Sequence, residues 1–258
     1  MLRFKKKNLL FLKTFLIILI LTVNSLNAKN RKIKNFSEAK FILQTLHEFN
    51  KRTFYCNCLF EKKSPIFDSC GYKVFKNFKR ASKIEWEHVV PASRFGKKFT
   101  SWKFGHQNCT KKNGKLFKGR KCARKTNKQF RFIEADLYNL QPVIGEINQV
   151  RNNYRMSIIK GGKKLFGSCD FEVKKKFVEP SKKVRGNVAR IYFYMSKEYP
   201  EFIKLTKRET NIFKRWDFID PIVDKVQSNP PQLYRSGTMG PEDKILIRNN
   251  HEWIDPKE

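Results

Sequence analysis

Cys56, Cys58, Cys70, Cys109, Cys122 and Cys169 lie in the middle of a 258-residue chain, and whether they are paired decides how that chain can fold. The N-terminus supplies the context. Arg3, Lys5, Lys6 and Lys7 precede the apolar run LLFLKTFLIILILTV, which leads into Asn24-Ser25-Leu26-Asn27-Ala28. A basic start, a short apolar centre and a small closing residue make a secretory signal, with cleavage expected after Ala28. Lys13 interrupts the run and leaves it shorter than the ~20 residues a membrane span usually needs, which weighs against an uncleaved anchor. In an exported chain an even number of cysteines is expected to form disulfides, here three. Their connectivity stays open, although pairing Cys109 with Cys122 would close a loop of lysines, glycines and Arg120. The competing use, zinc held by Cys56, Cys58 and Cys70, lacks a histidine or fourth cysteine at a zinc-finger interval.

Charge narrows the partners. The chain has 56 Lys and Arg against 23 Asp and Glu; the leader holds five of the basic residues and none of the acidic, so the mature net charge is +28. Such a surface attracts polyanions, nucleic acid first and anionic membrane second. The lysines are spread along the chain rather than gathered in one block, so charge alone also fits a compositional bias. Hydrophobic residues make up 40% of the sequence, with 24 phenylalanines, enough for one sizeable core. The expected organisation is a signal at 1–28, one domain at 29–229, and a C-terminal tail at 230–258 that begins with the Pro- and Gly-rich PPQLYRSGTMGPEDK.

Within the domain, NFSEAKFILQTLHEF repeats apolar residues near a 3.6 period, which predicts a core-packing helix capped by Ser37, with Phe36 and Phe41 as a hydrophobic staple. His47 within it reads as a surface or packing residue. Residues 53–80 read as short strands tied by disulfides. A late helix is predicted to begin near Asn187 and stop at Pro200.

The segment EWEHVVPAS, residues 85–93, crowds Glu85, Glu87 and His88 at one end of a strand-like stretch. Alternation puts Ile84, Trp86, His88 and Val90 on one face, and Glu85, Glu87 and Val89 on the other. For Glu87 and His88 to serve one atom, the strand must bend or end there, and Pro91 fits an ending. Downstream, IEADLYNLQP leads into VIGEINQVRNN, where Pro142 fits the first position of a helix with Val143, Ile144, Ile147 and Val150 as its apolar stripe and Asn148 on the flank. The expected constellation is a strand ending in Glu-His, a long loop, and a helix presenting Asn148.

The segments FYCNC, SCGY, RASKIEWEHVVPA, FGHQNC, GRKC, IEADLYNLQP, IGEIN and RGNVARIYFYMS together resemble the bacterial endonuclease I family of periplasmic and secreted nucleases. They occur in the family's order and cover roughly residues 36–229. The resemblance implies an α+β fold: a ββα-metal, or His-Me finger, core within a mixed α/β single domain stabilised by disulfides. It implies His88 as general base, Glu87 and Asn148 as ligands of one Mg²⁺, and Arg120 steadying the phosphate. Glu134 and Asn139 become supporting residues. Tyr138 stands where the family pattern has a histidine, and the spacing before Cys122 departs by a residue from the expected one. His106 reads as structural or as support for the site, and Trp86 and Trp102 as packing residues.

This chemistry makes sense on its own terms. Phosphodiester hydrolysis needs a deprotonated water, positive charge against the extra negative charge, and a proton for the departing oxygen. Histidine suits the first task. A carboxylate and an amide oxygen suit a hard cation such as Mg²⁺, with Mn²⁺ or Ca²⁺ as other ions the site could take. Lys111, Lys112, Lys115, Lys118, Lys121 and Arg151 are the cations expected to meet nucleic acid, DNA and RNA alike, with little sequence preference because phosphate contacts carry no sequence information. The protein is expected to act as a monomer without an obligate protein partner. A secreted polyanion-binding protein without catalysis would explain the charge and the cysteines equally well, but not Glu87, His88 and Asn148 together.

Overall fold

The computed structural model describes residues 29–221, together with two short strands, Ile247–Asn249 and Glu252–Ile254, that pair antiparallel with each other. The leader and its cleavage point lie outside the described residues, as does most of the segment 230–258. No helix among the described residues is long and apolar enough to cross a membrane.

The first helix, α1 (Phe36–Leu46), buries Ala39, Leu43 and Leu46 at the expected spacing. Its cap is Asn35, not Ser37: the Asn35 side chain accepts from the backbone N–H groups of Ser37 and Glu38, both at 3.0 Å. The staple does not form either, because Phe41 is 72% exposed while Phe36 turns onto His88 with ring centroids 5.0 Å apart. A small hairpin follows, β1 (Phe60–Glu61) and β2 (Ser64–Pro65), then one turn of helix, α2 (Phe78–Ala81).

The central unit consists of β3 (Ile84–His88), β4 (Leu140–Ile144) and the helix that follows β4 directly, α7 (Gly145–Arg151). Between the two strands the chain forms α3 (Ala92–Gly96), α4 (Thr100–Lys103), α5 (Arg120–Thr126) and α6 (Lys128–Glu134). β3 and β4 pair antiparallel from Ile84 opposite Ile144 to His88 opposite Leu140. The helix expected from Pro142 is thus a strand, and helix begins only at Gly145. Strand conformation wins because the apolar residues Leu140, Val143 and Ile144 gain a partner in β3. Pro142 is tolerated because each strand of a two-stranded sheet has an outer edge, where a missing N–H costs little.

Beyond α7 a four-stranded sheet was not legible from pattern. Its order is β5 (Arg155–Met156), β8 (Phe177–Glu179), β7 (Cys169–Lys174), β6 (Lys163–Phe166), with β5 and β8 parallel and the other pairs antiparallel. α8 (Arg185–Glu198) is the expected late helix. It packs on α9 (Lys207–Ile219), with Tyr192 and Phe213 rings 4.5 Å apart. Gly186 permits that contact, since a Cβ there would come within 1.9 Å of the Asp220 carbonyl oxygen.

All six cysteines are paired, as Cys56–Cys169, Cys58–Cys70 and Cys109–Cys122. The first bond ties the segment before β1 to the start of β7, the second closes the hairpin region, and the third closes the lysine loop ahead of α5. With every thiol oxidised, none is left to ligate zinc.

Candidate active site

β3 ends at His88 because Asn139 captures the backbone beyond it. Val89 N–H donates to the Asn139 carbonyl at 3.0 Å, Val90 N–H to Asn139 Oδ1 at 2.6 Å, and Asn139 Nδ2 returns a bond to the Val90 carbonyl at 2.9 Å. Asn139 itself is fully buried. This closed set of bonds turns the chain away from the sheet and leaves Glu87 and His88 at its end. Both line a cleft of about 520 Å³, together with Arg120, Asn148, Arg80, Trp86 and Trp102.

His88 is buried with its ring between Phe36 and Phe95. Its Nε2 lies 2.8 Å from the Glu134 carbonyl, and Nη2 of Arg120 lies 3.3 Å from Nδ1. A guanidinium can only donate, so Nδ1 carries the lone pair and Nε2 the proton given to Glu134. Burial first, and the Arg120 charge second, lower the pKa of the ring to about 3. The imidazole is therefore neutral at physiological pH, with its basic nitrogen on the side of Arg120.

Arg120 is the first residue of α5, entered through Gly119 in a left-handed conformation with φ +80°. Its Nε donates to Glu134 Oε1 at 2.5 Å, while Arg124, one turn later, donates to both Glu134 oxygens at 2.7 Å. Burial alone would raise the Glu134 carboxyl, but the hydrogen bonds and charges of the two arginines hold it below its ordinary value. Glu134 thus orients His88 through its backbone and Arg120 through its side chain. Arg124 was not singled out from sequence; its i+4 spacing from Arg120 on one helix face is the signal that could have found it.

Glu87 is also buried, and burial raises its carboxyl to about 7 against the opposing pull of Arg151 and then Arg120. The Arg151 Nε lies 2.9 Å from Glu87 Oε1, yet among the described residues no donor is aligned on that oxygen. Asn148 donates from Nδ2 to Glu85 Oε2 at 2.9 Å, and among the described residues nothing donates to its Oδ1. A poorly satisfied carboxylate and an open amide oxygen on one cleft are the donor types Mg²⁺ takes. The described residues contain no group of three or more His, Cys, Asp or Glu that could hold a metal, so a cation here would have few protein ligands and keep much of its water.

Arg151 corrects an expectation. It was expected to meet nucleic acid, but it is fully buried: beside its contact with Glu87 it donates to the Val89 and Asn152 carbonyls. The inward face of α7 takes it out of reach of any phosphate. The five lysines of the loop are all exposed on the segment closed by Cys109–Cys122. His106 is exposed, accepts from Asn108 N–H at 3.1 Å, and does not line the cleft. Trp86 and Trp102 do more than pack, since both contribute to the cleft wall.

Residues 23–235 match the family model for Endonuclease I. The chain is 42% identical over 201 residues to Endonuclease-1 of Buchnera aphidicola subsp. Acyrthosiphon pisum (strain APS), covering 75% of this chain and 74% of that protein. It is 41% identical over 191 residues to an extracellular deoxyribonuclease of Aeromonas hydrophila, covering 71% and 77% of the two chains. A periplasmic deoxyribonuclease of the same organism is 36% identical over 195 residues, covering 72% and 75%. The segments that carry the His88 and Asn148 geometry fall inside these matches, and the chain belongs to the Endonuclease I family of nucleases.

Proposed function

We propose that the mature protein is a periplasmic or secreted Mg²⁺-dependent endonuclease that hydrolyses DNA and RNA with little sequence preference and leaves 5′-phosphate ends. The observation that carries this reading is the neutral, buried His88 whose Nε2 is held by Glu134, so that Nδ1 faces a cleft shared with Glu87 and Asn148. The names of the relatives, extracellular and periplasmic deoxyribonuclease, support both the substrate and the compartment. The order β3, β4, α7 suits a ββα-metal core.

In this reading His88 Nδ1 takes a proton from water. The Glu134 carbonyl keeps the ring in the required tautomer and stabilises it once it is charged. Arg120 lies beside Nδ1 and places positive charge where the phosphate becomes more negative, and its ion pair with Glu134 limits its motion. Glu87 and Asn148 would hold the metal, and when bound it would supply further positive charge to offset the negative charge developing on the phosphate. The bond to the 3′ oxygen breaks, that oxygen takes a proton from solvent water as it leaves, His88 returns its proton to solvent, and the phosphate stays on the 5′ side. The lysines of the Cys109–Cys122 loop draw the polyanion in.

The test is incubation of the oxidised protein with circular DNA, linear DNA and RNA, in Mg²⁺ and in excess chelator. All three substrates should be degraded with Mg²⁺ and spared by the chelator. Full activity in chelator would overturn the metal assignment, and products ending in 3′-phosphate would overturn the direction of cleavage. Binding without cleavage in Mg²⁺ would favour a secreted polyanion-binding protein instead.

A further inference from the structure

Glu85 sits two residues before Glu87, on the same face of β3, and its carboxylate is engaged from two sides. Arg80 donates from Nε to Oε1 at 3.0 Å and from Nη2 to Oε2, while Asn148 donates from Nδ2 to the same Oε2 at 2.9 Å. The first turn of α7 closes directly over this group. A Cβ on Gly145 would come within 2.5 Å of the Arg80 carbonyl oxygen and 2.9 Å of Glu85 Oε1, so any larger residue would push helix and ion pair apart. Three further bonds hold the residues that lead into α2 against α7. Glu146 accepts from the backbone N–H groups of Lys76 and Asn77, both at 2.6 Å, and Asn77 Nδ2 donates to Gln149 at 2.9 Å.

The two ends of an asparagine amide have nearly the same shape and opposite polarity, and a half-turn of the group exchanges them. Only the oxygen end can ligate a cation. An anionic acceptor placed on one side decides the orientation, because the nitrogen end gains a charge-assisted bond there and the oxygen end would be repelled. Glu85, anchored by Arg80, is such an acceptor.

We propose that Glu85 is a positioning residue: with Arg80 it fixes the Asn148 amide so that Oδ1, not Nδ2, faces the cation. The proposal rests on the reading of Asn148 as a metal ligand. Outer groups that orient ligands typically govern metal affinity by about 10–100-fold.

The experiment is Mn²⁺ binding by isothermal titration calorimetry on the oxidised, DNA-free protein, with melting temperatures recorded beside it, for wild type, Glu85→Ala, Asn148→Asp and the double variant. Aspartate presents oxygen at both ends, so orientation no longer matters. Glu85→Ala should weaken Mn²⁺ binding by about 10-fold or more in the Asn148 background. In the Asn148→Asp background the same substitution should leave binding unchanged or strengthen it, since it removes like charge. A purely structural Glu85 would weaken binding equally in both backgrounds, and that result overturns the proposal even if Glu85→Ala also lowers the melting temperature. Unchanged binding in Glu85→Ala would overturn it too. Asn148→Ala and Glu87→Ala serve as controls: if both bind Mn²⁺ like wild type, the ligand reading itself fails and the proposal falls with it.

Discussion

His88 is enclosed by Phe36, Phe95 and Arg120, and this enclosure keeps the ring neutral, with the lone pair of Nδ1 unprotonated. His88→Ala is therefore expected to lower turnover by at least ~10²-fold, the usual scale for loss of a general base, with DNA affinity almost unchanged. Single-turnover cleavage beside filter binding in Ca²⁺ measures both; a mild effect there, with inactivation by His106→Ala, would mean that the base is misassigned. Arg151 makes the contrasting case. Removing a buried partner leaves Glu87 without its counter-charge, so Arg151→Ala should destabilise the fold by about 3–5 kcal/mol. Denaturant unfolding reads this loss, and the salt dependence of DNA binding should not change. Both residues were singled out from the sequence as functional, but a residue's type does not say which way it faces, and for Arg151 burial decided.

At the scale of elements, α9 shows how a local signal and a distant partner combine. Thr206 and Glu209 form a reciprocal capping box, a Thr-x-x-Glu pattern visible in the sequence. Arg94, far away in the chain, reaches both Glu209 oxygens at 2.5 and 2.7 Å. Burial by itself would raise this carboxyl, but Arg94 and the Thr206 groups outweigh it and hold it at about 2. A carboxyl depressed in the folded state stabilises the protein fully above its unfolded pKa of about 4.3, and that contribution is lost as pH falls towards 2. Thermal melting between pH 5 and pH 2.5 should accordingly drop less steeply in Glu209→Gln than in wild type. Equal slopes would show that the Arg94 pair contributes nothing to acid stability. β4 illustrates the converse: its residues carry a helix-like apolar spacing, and only pairing with β3 makes them a strand.

Over the whole molecule the excess of positive charge has a measurable consequence. Each phosphate neutralised by a Lys or Arg releases condensed counterions, so the log of the binding constant should fall with log salt by about 0.9 per contact on duplex DNA. Measured on His88→Ala in Ca²⁺, the slope should be steep, and charge reversal at Lys111, Lys112, Lys115, Lys118 or Lys121 should each flatten it. A salt-independent constant would mean that the lysine excess is compositional background. These lysines are free to act because the Cys109–Cys122 bond holds their loop and none of the five pairs with a carboxylate among the described residues.

What could be read from the chain alone was what depends on composition and short spacing: paired cysteines, α1, α8, the crowded Glu87 and His88, and the basic loop. Spacing also placed Asn148 on a helix flank; segment similarity gave it the role of a ligand and added Arg120, Glu134 and Asn139 as candidates. The orientation of the site was decided only in three dimensions. Glu85 becomes the acceptor for Asn148, and Glu134 the common support of His88 and Arg120, through contacts between residues 14 to 63 positions apart. Arg151 turns inward because α7 packs its face against the end of β3. Local periodicity carries no information about such pairs, whose partners are set by how the strands and helices pack.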